Sequence, residues 1–210
     1  MLRLNIYGAF LRLTRGEKVE EGHTRRRKPR SDGQKNRQHL LQTAKAAFGA
    51  GEIDIPLDEI ARRAGVGIGT LYRHFSNRDA LIEAVYRDEL DKLARAATDL
   101  ARTCPPVEAL RAWMKLFVDY IATKQVIVPA LNSLIGGTGA LYADSRTVLK
   151  SAIDQLVARA VQNGEIKPDI EPQDLLCALA GVSTYATGPG WESGAKRLVD
   201  ILIAGSRPAE

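Results

Sequence analysis

Two short helical patterns near the start of the chain are separated only by Gly65-Val66-Gly67. The first follows Pro56, a residue that suits a first helical turn, and the second runs from Ile68 to Phe75. The first pattern has one apolar face, formed by Leu57, Ile60, Ala61 and Ala64. Gly65 permits a sharp turn, and Val66 is placed to fill the angle between two helices. This order of helix, tight turn and short helix predicts a helix-turn-helix unit.

Helical periodicity also covers most of the remaining chain, and strand signals are weak. We expect the first helix to start at Lys35, behind a cap at Ser31 or Asp32, and the fourth to be capped by Ser76 or Asn77. The predicted helices span 35–48, 56–64, 68–75, 78–102, 107–124, 128–134, 141–162, 172–187 and 192–204. The predicted fold class is therefore all-α, with about nine helices.

Basic residues are concentrated in the first part of the chain. Residues 1–79 contain 16 Lys and Arg against 9 Asp and Glu, whereas residues 80–210 contain 14 against 16. Five of the basic residues form an arm, which comprises Arg25, Arg26, Arg27, Lys28 and Arg30. Pro29 and Gly33 oppose regular structure there, so residues 1–32 are expected to be a flexible extension. The charge division indicates a polyanionic partner, with a merely solvated basic tail as the alternative.

Several classes of function find no support in the sequence. Cys104 and Cys177 belong to no CxxC motif and only three histidines are present, so we expect no structural metal. Gly-rich phosphate loops, HExxH and GxSxG motifs are missing, so we expect neither an enzyme nor a cofactor. The chain has no long apolar run and no signal-peptide pattern, which predicts no membrane span and a cytoplasmic location.

The segment around the predicted turn resembles the DNA-binding part of the TetR/AcrR family of bacterial regulators. The run IARRAGVGIGTLYRHFSNRDALIEAV carries the resemblance. Its matching features are Ile60-Ala61, Ala64-Gly65-Val66, Thr70-Leu71-Tyr72, His74-Phe75 and Asn77-Arg78-Asp79-Ala80-Leu81. The strong match covers residues 35–90. Two positions depart from the family pattern, because Pro56 stands where Thr or Ser is common and Arg78 where Lys is common.

The resemblance implies a three-helix DNA-binding domain over residues 33–80. The residues expected in the major groove are Gly67, Ile68, Gly69, Thr70 and Tyr72. Those expected at backbone phosphates are Tyr72, His74 and Arg78. Those expected in an adjacent minor groove are Arg25, Arg26, Arg27 and Lys28 of the arm. Ile60, Val66, Leu71 and Phe75 are interpreted as core, and packing is the alternative role for Tyr72.

The resemblance also implies that residues 81–210 form a larger helical domain that binds a small-molecule effector and dimerises. Candidate pocket residues are Trp113, Met114, Phe117, Tyr120, Leu131, Tyr142 and Tyr185. Candidate dimer residues are Leu175, Leu179, Val182, Leu198, Ile201 and Leu202. An ordinary intrachain core is the alternative for both sets. Few of the pocket positions are charged, which suggests a largely apolar or aromatic effector.

These expectations combine into a sequence-specific transcriptional regulator, with repression as the expected sign. A homodimer would place two recognition helices about 34–36 Å apart on a pseudo-palindromic operator in double-stranded DNA. An effector would release the homodimer from DNA by favouring a different distance between the two recognition helices. Two alternatives are a helical effector-binding or scaffold protein without specific DNA recognition, and non-specific nucleic-acid binding through the arm alone.

Overall fold

The regular structure of the protein is helical throughout its described part. The computed structural model describes residues 29–185 and 190–208, with side chains from residue 32 onward, and contains no strand there. The helices are α1 (Pro29–Gly49), α2 (Leu57–Arg63), α3 (Ile68–His74), α4 (Arg78–Thr103), α5 (Pro106–Asn132), α6 (Gly139–Gln162), α7 (Pro172–Tyr185) and α8 (Trp191–Gly205). The all-α prediction is confirmed, and none of these helices is long and apolar enough to cross a membrane.

The first helix begins earlier than the pattern indicated. It starts at Pro29 instead of Lys35 and passes through Gly33, so the prediction that these residues stand outside regular structure is wrong. Proline is compatible with a first helical turn because its missing N–H has no partner there. Gly33 costs roughly 1 kcal/mol relative to alanine. Burial of Leu40 and Phe48 farther along the same helix outweighs that cost.

Helices α1, α2 and α3 pack around one small core. All three pairs are in contact, and the side chains that meet include Leu41 of α1, Ile60 of α2 and Leu71 of α3, each buried. Burial on one face of each short helix holds α2 and α3 in place, because helices of this length are marginal alone. The three-helix arrangement expected near the N-terminus is present.

Helix α4 joins this unit to the rest of the chain. The Asn77 side chain caps it by accepting a hydrogen bond from the Ala80 backbone N–H at 2.8 Å. Its apolar face packs against α1, α5 and α6. Two polar contacts also tie α4 to α1, from Gln38 and Lys45 to successive acidic residues of α4. One continuous helix therefore contacts both parts of the molecule.

A single helix replaces two predicted ones in the middle of the chain. α5 runs from Pro106 to Asn132 and continues through Pro129, whereas the sequence predicted separate helices at 107–124 and 128–134. Proline inside a helix costs about 3 kcal/mol. Ile127, Ala130 and Leu131 are fully buried around it, and this burial keeps the last turns helical. The described part consequently has eight helices instead of nine.

Candidate functional site

The turn between α2 and α3 has the geometry that the sequence predicted. Gly65 adopts φ +66°, a conformation that is costly for residues with a Cβ. The Val66 N–H donates to the Ala61 carbonyl at 2.9 Å, and the Gly65 N–H donates to the Arg62 carbonyl at 3.2 Å. These two bonds form a Schellman closure of α2. The Val66 side chain is buried, which fixes the angle between the two helices.

Helix α3 has a buried side and an exposed side. Leu71 and Phe75 are buried in the three-helix core, as predicted, together with Ile60 and Val66. On the other side Ile68 is 43% exposed and Tyr72 is 53% exposed. Two large side chains one helical turn apart are therefore exposed on one side of this seven-residue helix, which makes that side a candidate contact surface.

The N-terminal edge of α3 is slim. Gly67 and Gly69 are exposed, and a Cβ added at either position would meet no atom within 4 Å. Thr70 is half-buried beside them. One surface of α3 therefore presents the backbone at Gly67 and Gly69, the Thr70 hydroxyl and the exposed Tyr72 ring. These residues belong to the set expected in the major groove. DNA contact by these residues remains a prediction.

Arg78 is directed towards the protein instead of solvent. Its Nη1 donates to the Ile55 carbonyl at 2.6 Å, and its guanidinium lies 5.8 Å from the centre of the Phe48 ring. The Nη2 atom is buried without a hydrogen-bond partner among the described residues. This arginine therefore ties the start of α4 to the segment before α2. Its expected phosphate contact stays a prediction and requires a different rotamer.

The other expected phosphate and groove contacts divide by position. His74 is half-buried at the end of α3, with its ring 6.1 Å from that of Phe75. Arg37 of α1 also lies over Phe75, with its guanidinium 5.4 Å from the ring centre. The residues 25–28 of the arm lie outside the described residues, as does the side chain of Arg30.

The arginines of α2 are neutralised within the protein. Arg63 forms two hydrogen bonds to Glu52, at 2.8 and 2.9 Å, and a third to Glu59 at 2.7 Å. Hydrogen bonds from Arg62 and Arg63 lower the pKa of Glu59 to about 2. By contrast, Arg73 of α3 is exposed and has no carboxylate partner in the part of the chain that the structure describes. Helical periodicity alone does not separate a solvent-facing role for Arg73 from a DNA-facing one.

A second candidate site lies between α5, α6 and α7. Two adjoining clefts have volumes of about 370 and 470 Å³ and share Phe117, Arg146, Leu149 and Ala180 as lining residues. Tyr120 and Tyr142 line the larger cleft. Three of the predicted pocket residues, Phe117, Tyr120 and Tyr142, are therefore brought together at one cavity. Its size is that of a small-molecule site.

The other four candidate pocket residues line neither cleft in this structure, and their assignment to a pocket stays a prediction. Trp113, Met114 and Leu131 are fully buried and fill the core behind the cavity. The Trp113 Nε1 donates to the Leu93 carbonyl at 2.9 Å, and its ring stacks on Phe117 at 5.9 Å. Tyr185 is 91% exposed and lies on the surface. Helical periodicity identifies the apolar face of α5 but does not say which residues another helix covers.

Sequence reasoning missed two basic residues that line the cavity. Lys124 lines the larger cleft and Arg146 lines both. One signal was available in the sequence, because Lys124 follows Phe117 and Ile121 along the same helical stripe, and Arg146 follows Tyr142 by four residues. A charged residue within an apolar stripe is an anomaly that spacing alone can detect.

The predicted dimer residues fall into two groups. Leu175 and Leu179 are buried in the chain's own core, and their assignment to an interface stays a prediction. Ile201 is 66% exposed. Three more are half-buried: Val182, Leu198 and Leu202. Only this second group remains available to a partner.

Comparison with known proteins identifies both parts of the chain. Residues 40–85 match the family model described as bacterial regulatory proteins, tetR family. Residues 105–208 match the model described as transcriptional regulator SbtR-like, C-terminal domain. The first match contains the helix-turn-helix, and the second contains the cavity and α8.

Curated relatives match over part of their length. HTH-type transcriptional regulator SAR0097 of Staphylococcus aureus is 40% identical over 70 residues, which are 32% of this chain and 36% of that protein. HTH-type transcriptional activator FasR of Mycolicibacterium smegmatis is 36% identical over 110 residues, which are 51% of this chain and 49% of that protein. The chain thus aligns with no more than about half of either protein.

Solved structures match over nearly their whole length. TetR transcriptional regulator SCO0520 from Streptomyces coelicolor has 41% identity and a TM-score of 0.74, with 83% of this chain and 99% of that chain covered. The TetR transcription regulatory protein from Mycobacterium vanbaalenii has 29% identity and a TM-score of 0.70, with 86% and 99% covered. Sequence identity, family models and a shared helical fold agree. The chain belongs to the TetR family of transcriptional regulators.

Proposed function

We propose that this regulator represses transcription by binding a pseudo-palindromic operator as a homodimer, and that a small molecule in the α5–α7 cavity releases it. The observation that supports operator recognition most directly is the surface of α3. Tyr72 and Ile68 are exposed there above a core of fully packed side chains. A rigid helix with exposed contact residues is what base recognition in the major groove requires.

The residues of α3 suit readout of base edges. The Thr70 and Tyr72 hydroxyls donate and accept hydrogen bonds, and Ile68 offers an apolar contact to a thymine methyl group. Gly67 and Gly69 leave open space at the edge of the helix, so the backbone approaches DNA closely. Arg73 is the cation of this surface that remains for phosphate.

Dimerisation is supported by the exposed apolar residues of α7 and α8. Ile201 stands in water in the single chain, with Val182, Leu198 and Leu202 half-buried nearby in the same pair of helices. Two such helices from each chain would form a four-helix contact. A two-fold dimer presents two α3 helices to the two halves of a pseudo-palindrome, about 34–36 Å apart.

Effector release is supported by contacts between the cavity wall and α4. The Tyr120 hydroxyl, at the cavity, donates to the Tyr86 hydroxyl of α4 at 3.0 Å. The Tyr86 ring also lies 6.0 Å from the ring of Tyr142, edge to face. α4 begins eight residues before Tyr86, at Arg78, which is bonded to Ile55 beside the helix-turn-helix. A ligand that moves this wall changes the position of α4, and with it the distance between the two α3 helices.

The DNA part of the proposal is tested by fluorescence anisotropy. The purified protein is titrated with DNA from upstream of its own gene and with scrambled DNA, each at two salt concentrations. We expect Tyr72→Ala and Thr70→Ala each to weaken operator binding by about tenfold or more, because each removes a base or phosphate contact. Ile135→Ala is the matched control, since the Ile135 side chain is 95% exposed and the substitution keeps the backbone N–H that donates to Asp79.

Three outcomes separate the proposal from its alternatives. Equal, weak binding of both DNAs that the substitutions do not alter would instead support an effector-binding or scaffold protein. Complete loss of binding on deletion of residues 1–28 would support non-specific binding through the arm, whereas we expect partial loss. A promoter–reporter assay distinguishes repression from activation. Lower transcription in the presence of the protein than in its absence supports repression, and higher transcription contradicts it.

A further inference from the structure

We propose that the α5–α7 cavity binds an anionic molecule with an apolar body, whose acidic group lies between Lys124 and Arg146. This inference rests on the proposed effector site and specifies its ligand chemistry. It adds an acidic group to the largely apolar or aromatic effector that the sequence suggested. A carboxylate, sulfonate or phosphate group at the end of an aliphatic or aromatic body has the required chemistry.

Lys124 is the first residue that carries the inference. It lines the larger cleft, and its Nζ lies 4.1 Å from the centre of the Tyr142 ring. Neither it nor Arg146 forms an ion pair with a carboxylate in residues 32–185 and 190–208. Burial and the like charge of Arg146 lower the pKa of Lys124. A half-buried cation without a counter-ion is costly unless an anion joins it.

Arg146 is the second residue that carries the inference. It lines both clefts, on α6, facing the same space as Lys124. Among the described lining residues of the two clefts there is no aspartate or glutamate to neutralise either cation. Lys150, a third basic residue at the smaller cleft, differs because Asp154 binds it at 2.7 Å. Two cations on adjacent helices that no carboxylate of the described residues neutralises would form an anion site, in which arginine favours planar oxygen pairs.

The rest of the lining selects the body of the ligand. Phe117, Leu149 and Ala180 are shared by both clefts, and Leu176 and Val128 extend the apolar wall on either side. An inorganic anion alone would leave this surface in water. A molecule that combines an acidic group with an apolar body neutralises the cations and also buries the wall.

A pair of fluorescent probes tests the charge requirement. The anionic probe is 8-anilinonaphthalene-1-sulfonate, and N-phenyl-1-naphthylamine has the same rings without the sulfonate. We expect the full-length protein to bind the anionic probe more tightly than the neutral one. Lys124→Met and Arg146→Met are each expected to lower the affinity for the anionic probe by about tenfold, because a charge-assisted hydrogen bond is lost. Binding of the neutral probe should not change.

Arg102→Met is the matched control, because it removes one positive charge from an exposed site at the far end of α4. If all three variants lower the affinity for the anionic probe equally, the attraction comes from the overall charge of the protein and the inference fails. It also fails if the neutral probe binds as tightly as the anionic one. Displacement of the anionic probe by dodecanoate and by dodecyl phosphate, but not by dodecanol, would identify the acidic group as the required feature.

Thermal melting without any probe gives a second readout that does not depend on ligand binding. If Lys124 serves an anionic ligand, Lys124→Met should raise the melting temperature of the ligand-free protein, because a desolvated cation beside Arg146 is removed. A lower melting temperature would indicate a structural lysine and overturn the inference. None of these measurements uses DNA, so the ligand site and the operator-release mechanism can fail separately.

Discussion

Two glycines on either side of Val66 serve different purposes. Gly65 has φ +66°, which the closure of α2 requires. Gly67 has φ −63° and ψ 140°, values that any residue adopts, and it begins the exposed edge of α3. Gly65 is therefore needed for the fold of the turn. Gly67 instead keeps a side chain off the edge of α3 that is proposed to contact DNA.

A pair of alanine substitutions separates these two roles. Gly65→Ala should lower the free energy of unfolding by about 1–2 kcal/mol, because it forces a Cβ into the left-handed region. Gly67→Ala should change stability by less than about 1 kcal/mol, since alanine is less favourable at this N-cap but restricts the unfolded chain, yet weaken operator binding, because a methyl group is added to the surface proposed to contact DNA. Urea unfolding monitored by circular dichroism and anisotropy titrations measure the two effects. Equal losses of stability in both variants would contradict this assignment.

At the scale of elements, α4 is attached to α1 by polar contacts as well as by apolar packing. Asp88 accepts a hydrogen bond from Gln38 at 3.2 Å and pairs with Lys92 at 2.8 Å. Burial raises the pKa of this carboxyl group, but the hydrogen bonds from Lys92 and Gln38 outweigh burial and lower it. The ionised form is therefore the one that the folded protein favours.

The sign of this shift gives a pH-dependent prediction. The contribution of Asp88 to stability is complete above the ordinary carboxyl pKa of 3.8, and it is lost as the pH falls through the lower value in the folded protein. Asp88→Ala should cost about 1–2 kcal/mol at pH 7, with a smaller cost at pH 3. Asp99→Ala is the control, because its carboxylate lies on the same helix in an exposed pair with Arg102. A cost independent of pH would contradict an ionic role for Asp88.

The surfaces proposed for DNA and for a second chain belong to elements far apart in the sequence. The exposed residues of α3 include Ile68 and Tyr72, and those of α8 include Ile201. Two residues after Ile201, Ile203 is fully buried in the intrachain core. One helix thus has a face buried in its own chain and an exposed face that is proposed to contact a partner, and a change on the exposed face need not unfold the chain.

Ile201→Asp tests the assembly of the whole molecule. We expect it to convert a dimer into a folded monomer, because it places a charge within an apolar contact. Operator affinity should fall by at least about tenfold, because a monomer binds one half-site and loses the gain in affinity from binding two half-sites at once. Ile135→Asp, at a residue that is 95% exposed, should leave the dimer intact. Analytical ultracentrifugation measures both, and a dimer that persists in Ile201→Asp would exclude α8 as the interface.

Local patterns in the amino-acid sequence were sufficient for much of the helical framework. The all-α class, the turn at Gly65, the cap at Asn77 and the short α3 depend on residues a few positions apart. Steric and hydrogen-bonding rules act at that range. Ile68 and Tyr72 of α3, which the family resemblance implied for DNA contact, are exposed, and their contact with DNA stays a prediction.

Packing between distant segments decided the rest. It kept α5 helical through Pro129, buried Trp113 away from the cavity and turned Arg78 towards Ile55. It also brought Lys124 and Arg146 to the same cleft from separate helices. Periodicity states which face of a helix is apolar, but the helix that covers that face, and the space it leaves open, depend on contacts between residues far apart in the chain.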